Sequence, residues 1–347
     1  MGQRLEALSG QALAILFALI LGAVVIVAVG ESPVRVLVTL LNGAFGGPER
    51  IAGTLLQATP ILVCGVAACI SLRAGLFNIG IEGQLFMGGF AAAWVGFSFS
   101  LPPVIHLLAA MAFAVFAGVA WVALPAFFRT RYNANEVVST ILGNYVAVLI
   151  TSYLTINIFK RPGGLPETPQ VLPTAYLPEL FSFSRLNWGL FIGIALAIAA
   201  QFVFHRTARG YAISEMGANA KFAEYGGIDI RRQGFLVLLA SGAVGGLAGG
   251  IEALGVHHRF MEGFAPGFGF DGVIAALLAN GSPIGTIATA LFFGALRSGS
   301  LLLEVDTTAS REIITVIQAL IILAVSAQIK FRRGASDSMA GERRWKF

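Results

Sequence analysis

The chain has 347 residues, of which 56% are hydrophobic and only 12% charged, with a net charge of +5 and a mean hydropathy of +0.80. A soluble domain carries roughly 25% charged residues, so the composition excludes that class and points to an all-α polytopic membrane protein. A β-barrel is excluded too, because the apolar runs are continuous and do not alternate with period two. The basic residues sit between apolar runs and at the C-terminal end, which is no nucleic-acid signature.

Ten apolar segments follow in chain order, at about 11–30, 51–70, 82–97, 104–128, 137–159, 188–204, 233–256, 271–280, 284–300 and 311–330. The first, Leu13–Val29, is long enough to span and lacks the small-residue cleavage site of a leader. The eighth and ninth are short and broken by Asn280–Pro283, the pattern of a hairpin of short or re-entrant helices. With the N-terminus inside, fifteen Lys and Arg fall on the cytoplasmic side and seven outside, which sets both termini in the cytoplasm. That topology leaves a proline-rich outer loop at 160–187, a long inner loop at 205–232 and a basic cytoplasmic tail at 331–347.

Polar residues interrupt this pattern at a few places. In "SLRAGLFNIGIEGQ" (71–84), glycines 75, 80 and 83 each weaken a helix by roughly 1 kcal/mol. The stretch therefore reads as an interrupted segment whose helix ends point into the protein, with Phe77, Asn78, Glu82 and Gln84 at the interruption. Arg73 reads as an interfacial anchor. In "NANEVVSTILGNYV" (133–146), Asn133 or Asn135 caps a helix, and Glu136 favours its N-terminus. Asn144 lies two turns deeper and makes either a packing hydrogen bond or a substrate contact. "FAPGFGFDG" (264–272) is either an outer gate or a capping turn with Asp271 as cap. Its phenylalanines 264, 268 and 270, with Phe77, could stack on a flat ring. His257 and His258 read as a solvated loop feature, and Cys64 and Cys69 as small packing residues.

In the inner loop, "SEMGANAKFAEYGGI" forms a short amphipathic helix ending at Gly226–Gly227. Ala220, Ala223 and Tyr225 offer a small apolar docking face beside Lys221 and Glu224. Two weak internal echoes, "NEVVSTIL" (135–142) with "REIITVIQ" (311–318) and "GLFNIGIEG" (75–83) with "GFGFDGVIA" (267–275), suggest an inverted repeat of 51–159 against 233–330. No phosphate loop, HExxH, Cys/His metal cluster or GxSxG elbow occurs, so nothing supports an enzyme, a metal or a cofactor.

"LRAGLFNIGIEGQ", "NANEVVSTILGNYVA", "GANAKFAEYGGI" and "GFGFDGVIAALLANGSPIG" together resemble the permease subunits of bacterial ABC importers of the branched-chain amino acid, ribose and nucleoside superfamily. The first two are most similar to the nucleoside-importer branch. The resemblance covers about residues 51–330 and implies a ten-helix permease domain in the bacterial cytoplasmic membrane. It implies three partners: a second permease, an ATPase subunit and an extracytoplasmic substrate-binding protein. Segment 211–228 is then the coupling helix, with Gly217, Asn219, Ala220, Lys221, Ala223, Glu224 and Tyr225 at the ATPase. Phe77, Asn78, Glu82, Asn144 and Asp271 then line the path of a small polar solute, a nucleoside before a simple sugar or branched-chain amino acid. An ion-coupled secondary carrier is the alternative from another class; it needs a carboxylate deep in the membrane, and Glu252 is the acidic residue placed for that.

Overall fold

A computed structural model describes residues 23, 24, 26, 27 and 30–306, apart from 164 and 266. The first apolar segment is largely outside this range, and the tenth and the basic tail lie wholly outside it. The remaining eight segments are helices. In chain order the helices are α1 (Pro33–Phe45), α2 (Pro48–Arg73), α3 (Ile81–Ser98), α4 (Pro103–Tyr132), α5 (Glu136–Tyr153), α6 (Gly189–Arg206), α7 (Ala208–Ala218), α8 (Ala220–Tyr225), α9 (Ile230–Glu252), α10 (Phe268–Leu278) and α11 (Pro283–Asp306). α5 and α9 each continue into a π-helical turn, Leu154–Ile158 and Ala253–His257. Among the described residues, six helices are long and apolar enough to cross a membrane: Pro48–Arg73, Pro103–Tyr132, Glu136–Ile158, Gly189–Arg206, Ile230–His257 and Pro283–Val305. The protein is a multi-pass membrane protein.

Two features differ from the sequence expectation. α1 was not expected, because its 13 residues are too few to register as a span. The expected pair of short helices around Asn280–Pro283 is one short helix, α10, and one long one, α11. The turn is there, with Asn280 and Gly281 both at positive φ, but the apolar run resumes at Leu301–Leu303 and carries α11 past Ser300.

The chain divides into two compact units, one of residues 51–294 and one of residues 1–50 with 295–347. In the second, Gly43 packs on Gly299, and Ser298 Oγ donates to the Gly43 carbonyl at 3.3 Å. The first holds every residue considered below.

Its centre is α3, α4 and α9, packed backbone to backbone. α9 carries Gly242, Gly245, Gly246, Gly249 and Gly250, all facing neighbours. Gly246 meets Gly88 of α3 and both Ala114 and Gly118 of α4, Gly242 meets Gly118 and Val122, and Gly249 meets Leu85 and Gly89. Small residues let helices approach closely where lipid supplies no hydrophobic drive to pack them. α5 lies against α3 along a buried stripe of Thr140, Asn144, Ala147, Thr151 and Thr155.

The two ends of this unit differ. One end, the basic face, carries Arg73, Arg129, Arg131 and the α6–α9 connection. The other, the loop face, carries residues 160–187, which include a two-stranded antiparallel hairpin of β1 (Glu179–Phe181) and β2 (Ser184–Asn187). That loop is strapped to the segment after α9. Thr168 N donates to the Phe260 carbonyl, Val171 N to His258 and Leu177 N to Leu254, at 2.9–3.0 Å. Glu167 accepts from Arg259 at 2.7 Å and pairs with Arg161 at 3.2 Å. His258 stacks on Tyr176 with centroids 3.8 Å apart, and His257 Nε2 lies 3.7 Å from buried Glu252. The histidines are therefore half-covered and not solvated as expected, because the loop folds back over them. Burial pulls the His258 imidazole below its ordinary range.

Candidate functional site

Two spans of the 51–294 unit are interrupted, and they enter from opposite faces. After Arg73 the chain leaves α2 at the basic face and turns at Gly75, whose φ is +72°. It runs without helical structure to Gly80 before α3 begins. After His257 it turns at the loop face and passes Phe260 and Phe264. It starts α10 only at Phe268, with Gly267 as N-cap at φ +79°. α10 has 11 residues, or about 17 Å, too short to cross a bilayer alone.

The two helix N-termini meet. Glu82, in the first turn of α3, accepts from Gly267 N through Oε1 and from Gly269 N through Oε2, each at 2.6 Å. It thus caps α10 from another helix, satisfying donors that α10 cannot satisfy itself. Asp271, read from the sequence as part of either an outer gate or a capping turn, is not the cap; it lies in the first turn, half-buried, where its charge suits the helix N-terminus.

The non-helical approach to α3 is held by side-chain amides. Asn78 Nδ2 donates to Ser241 Oγ at 2.8 Å and to Gln84 Oε1 at 3.2 Å, while Asn78 Oδ1 accepts from Gly80 N and Gln84 Nε2. Ser241 Oγ passes the chain of bonds on to the Ala67 carbonyl of α2 at 2.7 Å. Asn144 of α5 accepts from Gly83 N at 2.8 Å and donates to the Ile79 carbonyl at 2.9 Å; Thr140 Oγ1 accepts from Ile79 N at 3.3 Å. Ser241 sits 11 residues into α9 and Ala67 six residues from the end of α2, so the network lies about 10–17 Å from the basic-face helix ends. Backbone groups at this depth need partners inside the protein, and they have them.

The residues expected at the interruption thus divide. Asn78, Glu82, Gln84 and Asn144 are buried and bonded to backbone or to one another. Phe77 is 41% exposed, and so is Phe270 in the first turn of α10. Phe264 and Phe268 are buried, Phe264 stacked on Phe260 with centroids 4.7 Å apart. Ser241 and Thr140 were missed; a hydroxyl inside an apolar helix gives no signal in a single sequence. Cys64 and Cys69 are buried and free, Cys69 Sγ 3.2 Å from Thr286 Oγ1. Among the described residues, no group of three His, Cys, Asp or Glu side chains is placed to hold a metal ion.

At the basic face the expected single amphipathic helix is two, because Asn219 ends α7 and caps α8, accepting from Phe222 N at 3.1 Å. Gly227, at φ +84°, follows α8. On α8, Ala220, Lys221 and Glu224 are exposed, Tyr225 is 92% exposed, and Ala223 packs inward. Phe222, not singled out from the sequence, is the second exposed ring. Gly217 packs against Gly75 and the Arg73 carbonyl. Arg73 Nε donates to Ser214 Oγ at 2.9 Å, and Met216 joins a buried cluster with Ala74, Leu76, Val122, Ala126, Val237 and Leu238. The basic-face loop is therefore packed directly on the non-helical half of the first interrupted span.

Comparison with known proteins agrees with this architecture. Residues 50–326 match the family described as branched-chain amino acid transport system / permease component. The chain is 33% identical to the guanosine ABC transporter permease protein NupP of Bacillus subtilis, over 96% of this chain and 97% of that protein. It is 31% identical to the glucose ABC transporter permease protein TsgB13 of Haloferax volcanii, over 96% and 94%. It is 29% identical to the nucleoside ABC transporter permease protein NupB of Lactococcus lactis subsp. cremoris, over 91% and 90%.

Proposed function

Because the chain belongs to the family of branched-chain amino acid transport system permease components, we propose that it is the membrane-spanning permease of an ABC importer that carries nucleosides across the bacterial cytoplasmic membrane. The observation that carries this reading is the similarity to a guanosine permease along almost the whole length of both chains. The permease performs no chemistry of its own; ATP is hydrolysed on a partner ATPase subunit. A second permease completes the path, and an extracytoplasmic binding protein delivers the solute. The permease domain, residues 1–330, has ten spans with both termini in the cytoplasm, the basic face is the cytoplasmic one, and the tail 331–347 is cytoplasmic too.

Phe77, Asn78, Glu82, Asn144 and Asp271 mark the substrate path. The exposed Phe77 ring offers a surface for a flat base. The buried amides hold the backbone of the interruption open beside it. The opposed entry of the two interrupted spans supports the inverted repeat of 51–159 and 233–330. Residues 205–232 form the coupling loop. The ATPase meets Ala220, Lys221, Glu224 and Tyr225 on α8, with Gly217, Asn219 and Ala223 shaping that helix and its seat. A push on α8 passes to α7, whose Met216 packs with Leu76 and whose Ser214 accepts from Arg73.

The test is uptake of labelled guanosine by cells that express the importer, with glucose as the competing solute. Uptake that needs this chain, survives a protonophore and stops on ATP depletion supports the reading. Inhibition by glucose in place of unlabelled guanosine favours a sugar permease, the reading that the glucose relative raises. Replacing both exposed rings of α8, Phe222→Asp with Tyr225→Asp, is expected to remove the ATPase from the complex purified in mild detergent. An ATPase retained at the wild-type ratio rejects α8 as its seat.

A further inference from the structure

The junction of the two interrupted spans already contains a carboxyl group. Glu82 is 5% exposed, and each of its carboxylate oxygens accepts a backbone N–H of the other span at 2.6 Å. It stands in the first turn of α3 and against the N-cap of α10, so the dipoles of both helices favour its negative charge. The local sequence is fitted to it. A Cβ at Gly269 would run into the Glu82 backbone, so glycine there lets α10 approach closely enough for both N–H groups to reach the carboxylate.

In transporters with discontinuous helices, free N-termini near the midplane receive the anionic group of the substrate. Here the same positive ends are satisfied from within the chain. We infer that Glu82 is the resident anion of this junction, and that it restricts the path to solutes carrying no carboxylate or phosphate of their own. The existence of a path rests on the importer reading above; the anion seat itself does not. An amino acid or a nucleotide brings a further negative charge towards helix ends that Glu82 already caps and Asp271 already faces, whereas a nucleoside or a sugar brings none.

Chemical rescue tests this. The full-length permease, purified with its partner subunits, is unfolded by heat as wild type and as Glu82→Ala. Each is measured in formate, in chloride at equal ionic strength and in neutral formamide. Formate, a carboxylate small enough for the vacated space, is expected to raise the Tm of Glu82→Ala saturably by about 2–4 °C. Formamide and chloride are expected to leave it unchanged, and wild type to respond alike to all three. A variant that responds equally to formate and chloride, or equally to formate and formamide, overturns the inference.

If Glu82→Ala yields no folded protein, guanosine uptake decides between Glu82→Asp, which keeps the charge, and Glu82→Gln, which keeps the shape. Gln turns an N–H group towards an N–H donor and is expected to fall roughly tenfold below Asp; equal uptake, or Gln above Asp, overturns the inference. Wild-type guanosine uptake is scored in parallel. Its absence rejects the importer reading and leaves the formate result to stand alone. Its presence with no formate-specific response rejects only the resident anion.

Discussion

Replacing Gly246 by valine is expected to abolish the folded permease. Gly246 lies where α9 touches two helices at once, and a Cβ there would strike the Ala114 carbonyl of α4 while closing on the Cα and N of Gly118. The obstructing atoms are backbone, so no side-chain rotation relieves the clash. A helix must move, and the contacts of Gly88 with Gly246, Gly118 with Gly242 and Gly249 with Leu85 are lost together. Overpacking by a few methylenes in a core that can give costs about 1–3 kcal/mol; here the contacts at stake are those of the central three helices. The expected result is loss of the monodisperse peak of detergent-solubilised protein. Gly143→Ala is the control. A Cβ at Gly143 meets only Trp121 Nε1, at 3.6 Å. Alanine also gains roughly 1 kcal/mol of helix propensity, so a Tm equal to or above wild type is expected. A Gly246→Val protein with the wild-type profile would mean that the three helices are not held by close backbone contact.

Why glycine falls where it does was only partly legible in the sequence. Glycines 75, 80 and 83 read as one interruption, and two of them act so: Gly75 turns at positive φ and Gly80 is the N-cap of α3. Gly83 is inside the helix, where its missing side chain makes room for Asn144 and Ala147. Helix lengths were legible because a span of about 20 apolar residues announces itself, and α1, at 13, does not. The polar side chains were recognised as misplaced for a membrane segment, but their partners were not, since Ser241 and Gly269 are 163 and 187 residues away from Asn78 and Glu82. The echo of 75–83 and 267–275 paired the two stretches and set them on opposite sides, but the interruption was read only in the first. In the fold a non-helical half-span carries each stretch inward until Glu82 meets Gly267 and Gly269.

Asn144→Leu is expected to stop transport while leaving a permease that still folds. Asn144 joins the Ile79 carbonyl to Gly83 N, and these are the groups, four residues apart, that would bond to each other if α3 began one residue earlier. The amide therefore takes the place of a helical hydrogen bond and keeps the chain non-helical before Ile81. Leucine fills a similar volume but offers neither donor nor acceptor. Left unpaired in this buried position, the two backbone groups cost about 1–3 kcal/mol each. The chain escapes most of that cost by closing the Ile79–Gly83 bond and winding α3 back towards Asn78. Winding pulls Asn78 from Ser241 and moves the exposed Phe77, so the rearrangement falls on the residues that mark the path. Guanosine uptake is expected to drop at least tenfold, with a Tm loss smaller than two unpaired groups would give. Asn144→Asp separates the two halves of the amide: it still accepts from Gly83 N but cannot donate to Ile79, so an intermediate loss is expected. Full uptake by Asn144→Leu would mean that the interruption is held by Asn78 and Thr140 without it.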